Sequence, residues 1–152
     1  MRAVPQRGWL PGMTTEVNAP ASGARQLAST ITRYGAMLFG TGVIVQFYLA
    51  GSGIFAATGP VKDASSLDAH RLLGNILAVL ALLLLIATIV ARPARRVMIV
   101  VIVLFVLTAV EGLIAGAGTS APYFGALHPV IAAVILGLAA LIPIWIPRPN
   151  RG

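Results

Sequence analysis

The two histidines of this chain occupy matching positions in two apolar segments, and they are the side chains best suited to hold a metal. His70 and His128 each lie in the opening turns of a long hydrophobic stretch. There is no other histidine and no cysteine, which excludes thiolate metal sites, iron–sulfur clusters, disulfides and covalent attachment of a c-type haem. Two imidazoles on parallel helices of a bundle can reach one iron atom from opposite sides, as in bis-histidine haem b.

Small and charged residues flank both histidines. Gly74 lies four residues after His70, and Gly125 lies three residues before His128, so each removes a side chain where a porphyrin would press. Arg71 stands at the end of its apolar stretch, where a guanidinium can bind a haem propionate. We therefore predict that both histidines ligate iron and that Arg71, Gly74 and Gly125 contact the cofactor.

Glu111 is an acidic residue within an apolar stretch, and three interpretations are open. It can stay protonated and hydrogen-bonded to a neighbour, pair with Arg71, or belong to a proton or substrate path. Because an unpaired buried charge is costly, we favour a structural or cofactor-tuning role, and we count Glu111 among the cofactor-binding residues. Gln46, near the middle of the first apolar stretch, is predicted to donate an interhelical hydrogen bond.

Four apolar segments must position these residues. The chain is 58% hydrophobic and 10% charged, which is too little polar surface for a soluble globule of 152 residues. A helix needs about 20 apolar residues to cross a bilayer. The segments that meet this requirement are residues 34–57, 69–91, 97–116 and 123–146. We predict an all-α bundle of four transmembrane helices in up-down-up-down order over residues 34–147, with flexible cytoplasmic tails at 1–33 and 148–152.

The distribution of basic residues predicts the orientation. Of the 11 lysines and arginines, only Lys62 and Arg71 lie in or beside the first and third connections. The other nine precede the first span, fill the second connection or follow the last span. By the positive-inside rule, both termini face the cytoplasm, in a bacterial cytoplasmic membrane. The net charge of +7 therefore reflects topology, and no nucleic-acid partner is expected.

The chain also has the pattern of two repeated helical hairpins. Glycine-rich tetrapeptides at residues 50–53 and 115–118 each precede a connection and a span that carries one histidine. Spans two and four run in the same direction, so His70 and His128 enter from the same face. Glu111, near the outer end of span three, reaches a similar depth. The outward-facing half of the bundle is thus expected to hold all three ionisable groups.

Four short segments resemble one four-helix half of heme A synthase, a membrane enzyme built from two similar bundles. Small four-helix bacterial membrane proteins of uncharacterised function share the layout. The resemblance implies a bundle that holds haem, with His70 and His128 at its ligand positions. The second bundle and the cysteines of some members are absent, and Asp68 lies two residues before its histidine rather than three, so the methyl-oxidising reaction is not implied. The segments are Gly51-Ser52-Gly53-Ile54, Asp68-Ala69-His70-Arg71-Leu72-Leu73-Gly74, Glu111-Gly112-Leu113-Ile114-Ala115-Gly116 and Ala126-Leu127-His128.

These observations favour a membrane b-type cytochrome with one bis-histidine haem near the outer face. It would transfer electrons, with quinol or another redox subunit as partner, in a homo- or hetero-oligomer. No nucleophile–base constellation indicates a stand-alone enzyme. The main alternative is a cofactor-free structural or assembly subunit whose small-residue faces pack against partner helices. Interhelical hydrogen bonding by the histidines, a bare metal or proton-relay site, and a proton-coupled carrier using Glu111 are further alternatives.

Overall fold

The computed structural model describes residues 23–59, 65–117 and 122–146, which form four α-helices. Each helix is long and apolar enough to cross a membrane. The prediction of an all-α protein with four membrane spans is therefore confirmed, and α2, α3 and α4 begin and end within two residues of the predicted spans. The predicted tail at 148–152 lies outside the described residues, as do residues 1–22. The helices are α1 (Gly23–Thr58), α2 (Asp68–Ala91), α3 (Arg95–Ala117) and α4 (Pro122–Trp145).

Helix α1 begins well before the span predicted from hydropathy. Residues 23–33, expected in the cytoplasmic tail, form its first three turns. They are too polar for a hydropathy search, but they contain no proline and they have partners in the fold. Ala28 and Thr32 are buried, and Arg33 hydrogen-bonds α4. Tertiary contacts thus extend the helix beyond the apolar segment.

The four helices pack in a square in which each contacts its two neighbours in chain order, and α1 closes the ring against α4. The connection between α2 and α3 is only three residues long, which makes these helices antiparallel neighbours. Helices α2 and α4 run in the same direction and face each other across a diagonal. We call the end where α2 and α4 begin the histidine end, and the end with connection 92–94 the arginine end.

The closely packed apolar core occupies only the half of the bundle toward the arginine end. Among the described residues, no fully buried hydrophobic side chain lies in 44–58, 68–76, 105–117 or 122–134. Most other large apolar side chains point outward, as expected of helices in lipid. The histidine end therefore lacks an apolar core of its own. The core side chains are Ala36, Phe39, Val43, Leu77, Ala81, Leu84, Val97, Val101, Leu104, Ile135, Ala139, Ile142 and Ile146.

Helices α1 and α2 approach closely because glycines of α1 face leucines of α2. A Cβ atom at Gly35 would lie 2.7 Å from Leu84 Cδ2, and one at Gly42 would lie 2.7 Å from Leu77 Cδ2. Small residues at such contacts are typical of membrane helices, whose association depends on close packing. The hydroxyl of Thr88, 3.4 Å from that of Thr32, adds a buried polar contact between the same helices.

The arginine end is held together by side chains that reach the last turn of α4. Arg33 Nη1 donates hydrogen bonds of 2.7 Å to the carbonyl oxygens of Pro143 and Ile146. A cation there satisfies carbonyl groups that have no partner within the helix and complements its dipole. The guanidinium of Arg96 lies 5.3 Å from the ring centroid of Trp145. Helices α1 and α3 are thereby both fixed to α4.

Candidate functional site

His70 is the third residue of α2 and contacts the main chain of α1. Its Nδ1 lies 3.3 Å from the backbone oxygen of Gln46. A carbonyl oxygen can only accept, so the proton of the neutral imidazole belongs on Nδ1, and Nε2 keeps its lone pair. In the part of the chain that the structure describes, no hydrogen-bond partner reaches the Nε2 of His70.

His128, in the second turn of α4, is accompanied by a carboxylate. Its Nδ1 lies 2.9 Å from Glu111 Oε1 of α3, and the side chains are 28% and 12% exposed. This is ion-pair distance, although the contact lacks the alignment of a hydrogen bond. Glu111 is therefore a partner of His128, and the sequence-based alternative in which it pairs with Arg71 is wrong.

The two imidazoles meet in an edge-to-face contact between α2 and α4. Their ring centroids are 5.9 Å apart, and the ring planes form an angle of 79°. Two iron–nitrogen bonds of about 2 Å each, with about 1.1 Å from each nitrogen to its ring centre, would put the centroids about 6.2 Å apart. The observed separation is thus close to what a single iron between two imidazoles requires.

Several buried polar atoms around the two imidazoles make no hydrogen bond. Within the described residues, four buried side-chain atoms make no hydrogen bond: Gln46 Oε1, both carboxylate oxygens of Glu111, and Nδ1 of His128. Burying polar atoms unsatisfied costs about 1–3 kcal/mol each, so native structures contain few of them. They come from three helices, and all lie at the histidine end, where the apolar core is missing. This concentration is what a site completed by a proton, water or ligand would show.

The two predicted glycines have different surroundings. A Cβ atom at Gly74 would lie 3.0 Å from Gln46 Nε2, so this glycine makes room for the glutamine side chain of α1. Gly125 is half-buried in the first turn of α4. Both lie on the helices that carry the histidines, and their contact with a porphyrin stays a prediction.

Arg71 lies at the rim of the site and not inside it. Its Nη1 is 2.9 Å from Asp68 Oδ1, and the two side chains are 64% and 67% exposed. An exposed ion pair three residues apart on one helix contributes little to stability, so it leaves the guanidinium available to a stronger anionic partner. The predicted contact with a propionate therefore remains a prediction.

The role of the Gln46 main chain could not be predicted. We expected its side-chain amide to donate between helices, but its backbone oxygen is the atom that His70 contacts. Every residue has such an oxygen, and hence residue type carries no signal for it. Among the described residues, no group of three or more His, Cys, Asp or Glu side chains is arranged to hold a metal ion. A metal here would need ligands beyond these side chains, such as the nitrogens of a porphyrin.

Comparison with known proteins gives one family match. Residues 46–119 are similar to a family of unknown function designated DUF6220. This stretch contains Gln46, His70 and Glu111, and it ends before His128. No curated protein and no solved structure matches the chain significantly.

Proposed function

We propose that this chain is a small membrane cytochrome that binds one haem b between His70 and His128 and transfers electrons. The observation that carries the proposal is the pair of imidazoles 5.9 Å apart on diagonal, parallel helices. Their Nδ1 atoms lie beside acceptors on other helices, which leaves Nε2 of each ring for iron. Histidines that bind a metal usually contact a carbonyl or carboxylate through their second nitrogen in this way.

The position of the apolar core is compatible with a cofactor between the histidines. None of its fully buried side chains lies at the histidine end, so a cofactor there would not have to displace one. Gly74 and Gly125, on the two helices that carry the histidines, have no side chain that a porphyrin would have to displace. A haem held by two imidazoles supplies reversible one-electron transfer, and its lack of an open coordination position disfavours oxygen chemistry.

The protein side chains would orient and tune this site. The Gln46 carbonyl would fix the ring of His70. The Glu111 carboxylate, 2.9 Å from Nδ1 of His128, would accept its proton once the two groups align. A carboxylate partner makes the imidazole a more basic ligand and adds a negative charge near the metal. Arg71 is close enough to the rim to exchange Asp68 for a propionate. The expected redox partner is a quinol or another membrane subunit, in a bacterial cytoplasmic membrane with the histidine end outward.

The visible spectrum of the purified protein tests the proposal. Full-length protein from haem-replete cells is expected to be red, with a Soret band and one haem per chain. His70→Ala and His128→Ala should each lose the pigment, whereas His70→Met should retain a haem with a shifted spectrum, because methionine can also ligate iron. Thr41→Ala, which removes an exposed hydroxyl bonded only within its own helix, is the control for purification losses.

A colourless wild-type protein would refute the cytochrome and favour the cofactor-free subunit. One observation supports that second candidate. Cβ atoms at Gly51, Gly112 and Gly137 would meet nothing within 4 Å, so these glycines are not explained by packing inside the bundle. In that case the chain should copurify with a partner in stoichiometric amount, and this association should survive both histidine substitutions.

A further inference from the structure

Three arginines at the arginine end have no carboxylate partner among the described residues. Arg92, Arg95 and Arg96 are exposed and lie within five residues. The acidic residues of the described chain, Asp68 and Glu111, both belong to the histidine end. No described carboxylate therefore lies within reach of these three guanidinium groups.

Two other arginines of the described chain have partners within the fold. Arg33 donates to two carbonyl oxygens of α4, and Arg71 pairs with Asp68. By contrast, Arg95 and Arg96 stand in the first turn of α3, where the helix dipole disfavours a positive charge. Their charges thus do not stabilise α3 through its dipole.

Arg92 also occupies a position where another residue, glycine, would be more stable. It ends α2 with φ of 49°, in the left-handed region that favours glycine. A side chain there costs on the order of 1 kcal/mol relative to glycine. Arginine at a glycine position indicates that the guanidinium has a use outside the helix.

The neighbouring Trp145 indicates the level of these charges in the membrane. Trp145, 5.3 Å from the Arg96 guanidinium, is the last residue of α4, and tryptophan prefers the membrane interface. Lipid phosphates lie at that level, and guanidinium groups bind them in a bidentate manner. We propose that Arg92, Arg95 and Arg96, together with Trp145, form a binding site for the headgroup of an anionic phospholipid.

Preference for an anionic over a zwitterionic lipid follows from charge. Each basic residue near an anionic membrane surface contributes about 1 kcal/mol. Three arginines therefore favour a lipid of net negative charge by at least about tenfold over one of zero net charge, because tenfold corresponds to 1.4 kcal/mol. The site is independent of the haem proposal, since none of its residues lies at the histidine end.

Native mass spectrometry of the full-length protein tests this site. Protein equilibrated with equal amounts of phosphatidylglycerol and phosphatidylcholine should retain the former at least about tenfold more often. Substitution of all three arginines by glutamine should bring the ratio close to one. Arg71→Gln, which removes the same charge from the opposite end, should leave it unchanged. Excess inorganic phosphate should not displace the lipid, because the acyl chains also bind.

Equal retention of the two lipids by wild-type protein would overturn the proposal without any variant. A preference for phosphatidylglycerol that survives the triple substitution would also overturn it. So would the loss of this preference in Arg71→Gln, or the complete removal of the bound lipid by inorganic phosphate. Should the triple variant fail to fold, Arg92→Gln/Arg95→Gln retains the contact between Arg96 and Trp145. Its lipid preference is expected to fall at least threefold, and an unchanged preference would refute the site.

Discussion

Gly53→Ala is expected to destabilise the protein, while Gly51→Ala, two residues away on the same helix, is not. A Cβ atom at Gly53 would lie 2.7 Å from the backbone oxygen of Ser66 and 2.5 Å from Leu67 Cδ2. At Gly51 it would meet nothing within 4 Å. Both residues are within α1, so they differ in what surrounds them and not in helical conformation.

The magnitude follows from these contacts. An ordinary carbon–oxygen contact is about 3.4 Å, so the turn before α2 must move by roughly 0.7 Å, and overpacking of this kind costs about 1–3 kcal/mol. Alanine in place of glycine within a helix returns about 0.5–1 kcal/mol at either position. Gly51→Ala should therefore stabilise slightly. The difference between the variants isolates the clash, at about 1–3 kcal/mol.

Unfolding in mixed micelles, followed by circular dichroism during titration with sodium dodecyl sulfate, gives the two free energies. The clash also displaces the turn that leads into His70, so Gly53→Ala should lower the occupancy of the histidine site. Equal stability of the two variants, within about 0.5 kcal/mol, would show that α1 and the 65–67 turn do not pack as the structure has them.

Three further predictions concern the site, the arginine end and the orientation. Glu111→Gln removes a carboxylate about 7 Å from the proposed iron. At an effective dielectric constant of about 20, this should raise the midpoint potential of the haem by roughly 100 mV. A potentiometric titration of the Soret band that shows no rise would contradict this prediction. Arg33→Gln should lower the free energy of unfolding by about 1.5–3 kcal/mol in the same assay, because two charge-assisted hydrogen bonds are lost. Arg25→Gln, at an exposed position, should leave it nearly unchanged. Equal effects of the two substitutions would argue against the contact between Arg33 and α4. In this cysteine-free chain, Ser65→Cys should react with an impermeant maleimide added to intact cells, because the histidine end is predicted to face outward. Ala94→Cys should react only after permeabilisation. The reverse labelling pattern would show that the predicted orientation is wrong.

Much of the architecture could be predicted because the bilayer restricts it. Apolar length fixes three of the four helices to within two residues, and the short 92–94 connection fixes the antiparallel order. With the order known, the histidines of α2 and α4 must enter from the same end. Their separation of 5.9 Å is the finding that a sequence pattern could only suggest.

The remaining details depend on contacts that residue types do not specify. Helix α1 extends beyond its apolar segment to Gly23, and in this extension Thr32 and Arg33 contact α2 and α4. A hydropathy search does not detect such contacts. Glu111 lies beside His128 and not beside Arg71 because α3 packs against α4 and because Asp68 already pairs with the arginine.

Electron paramagnetic resonance of the oxidised, purified protein is the most direct test of the two histidines as joint ligands. Two imidazoles on one iron give a low-spin ferric signal, and planes near the observed 79° give a strongly anisotropic one. We expect that signal in the wild-type protein and its loss in both His→Ala variants. A high-spin signal, or no haem signal in protein from haem-replete cells, would contradict it.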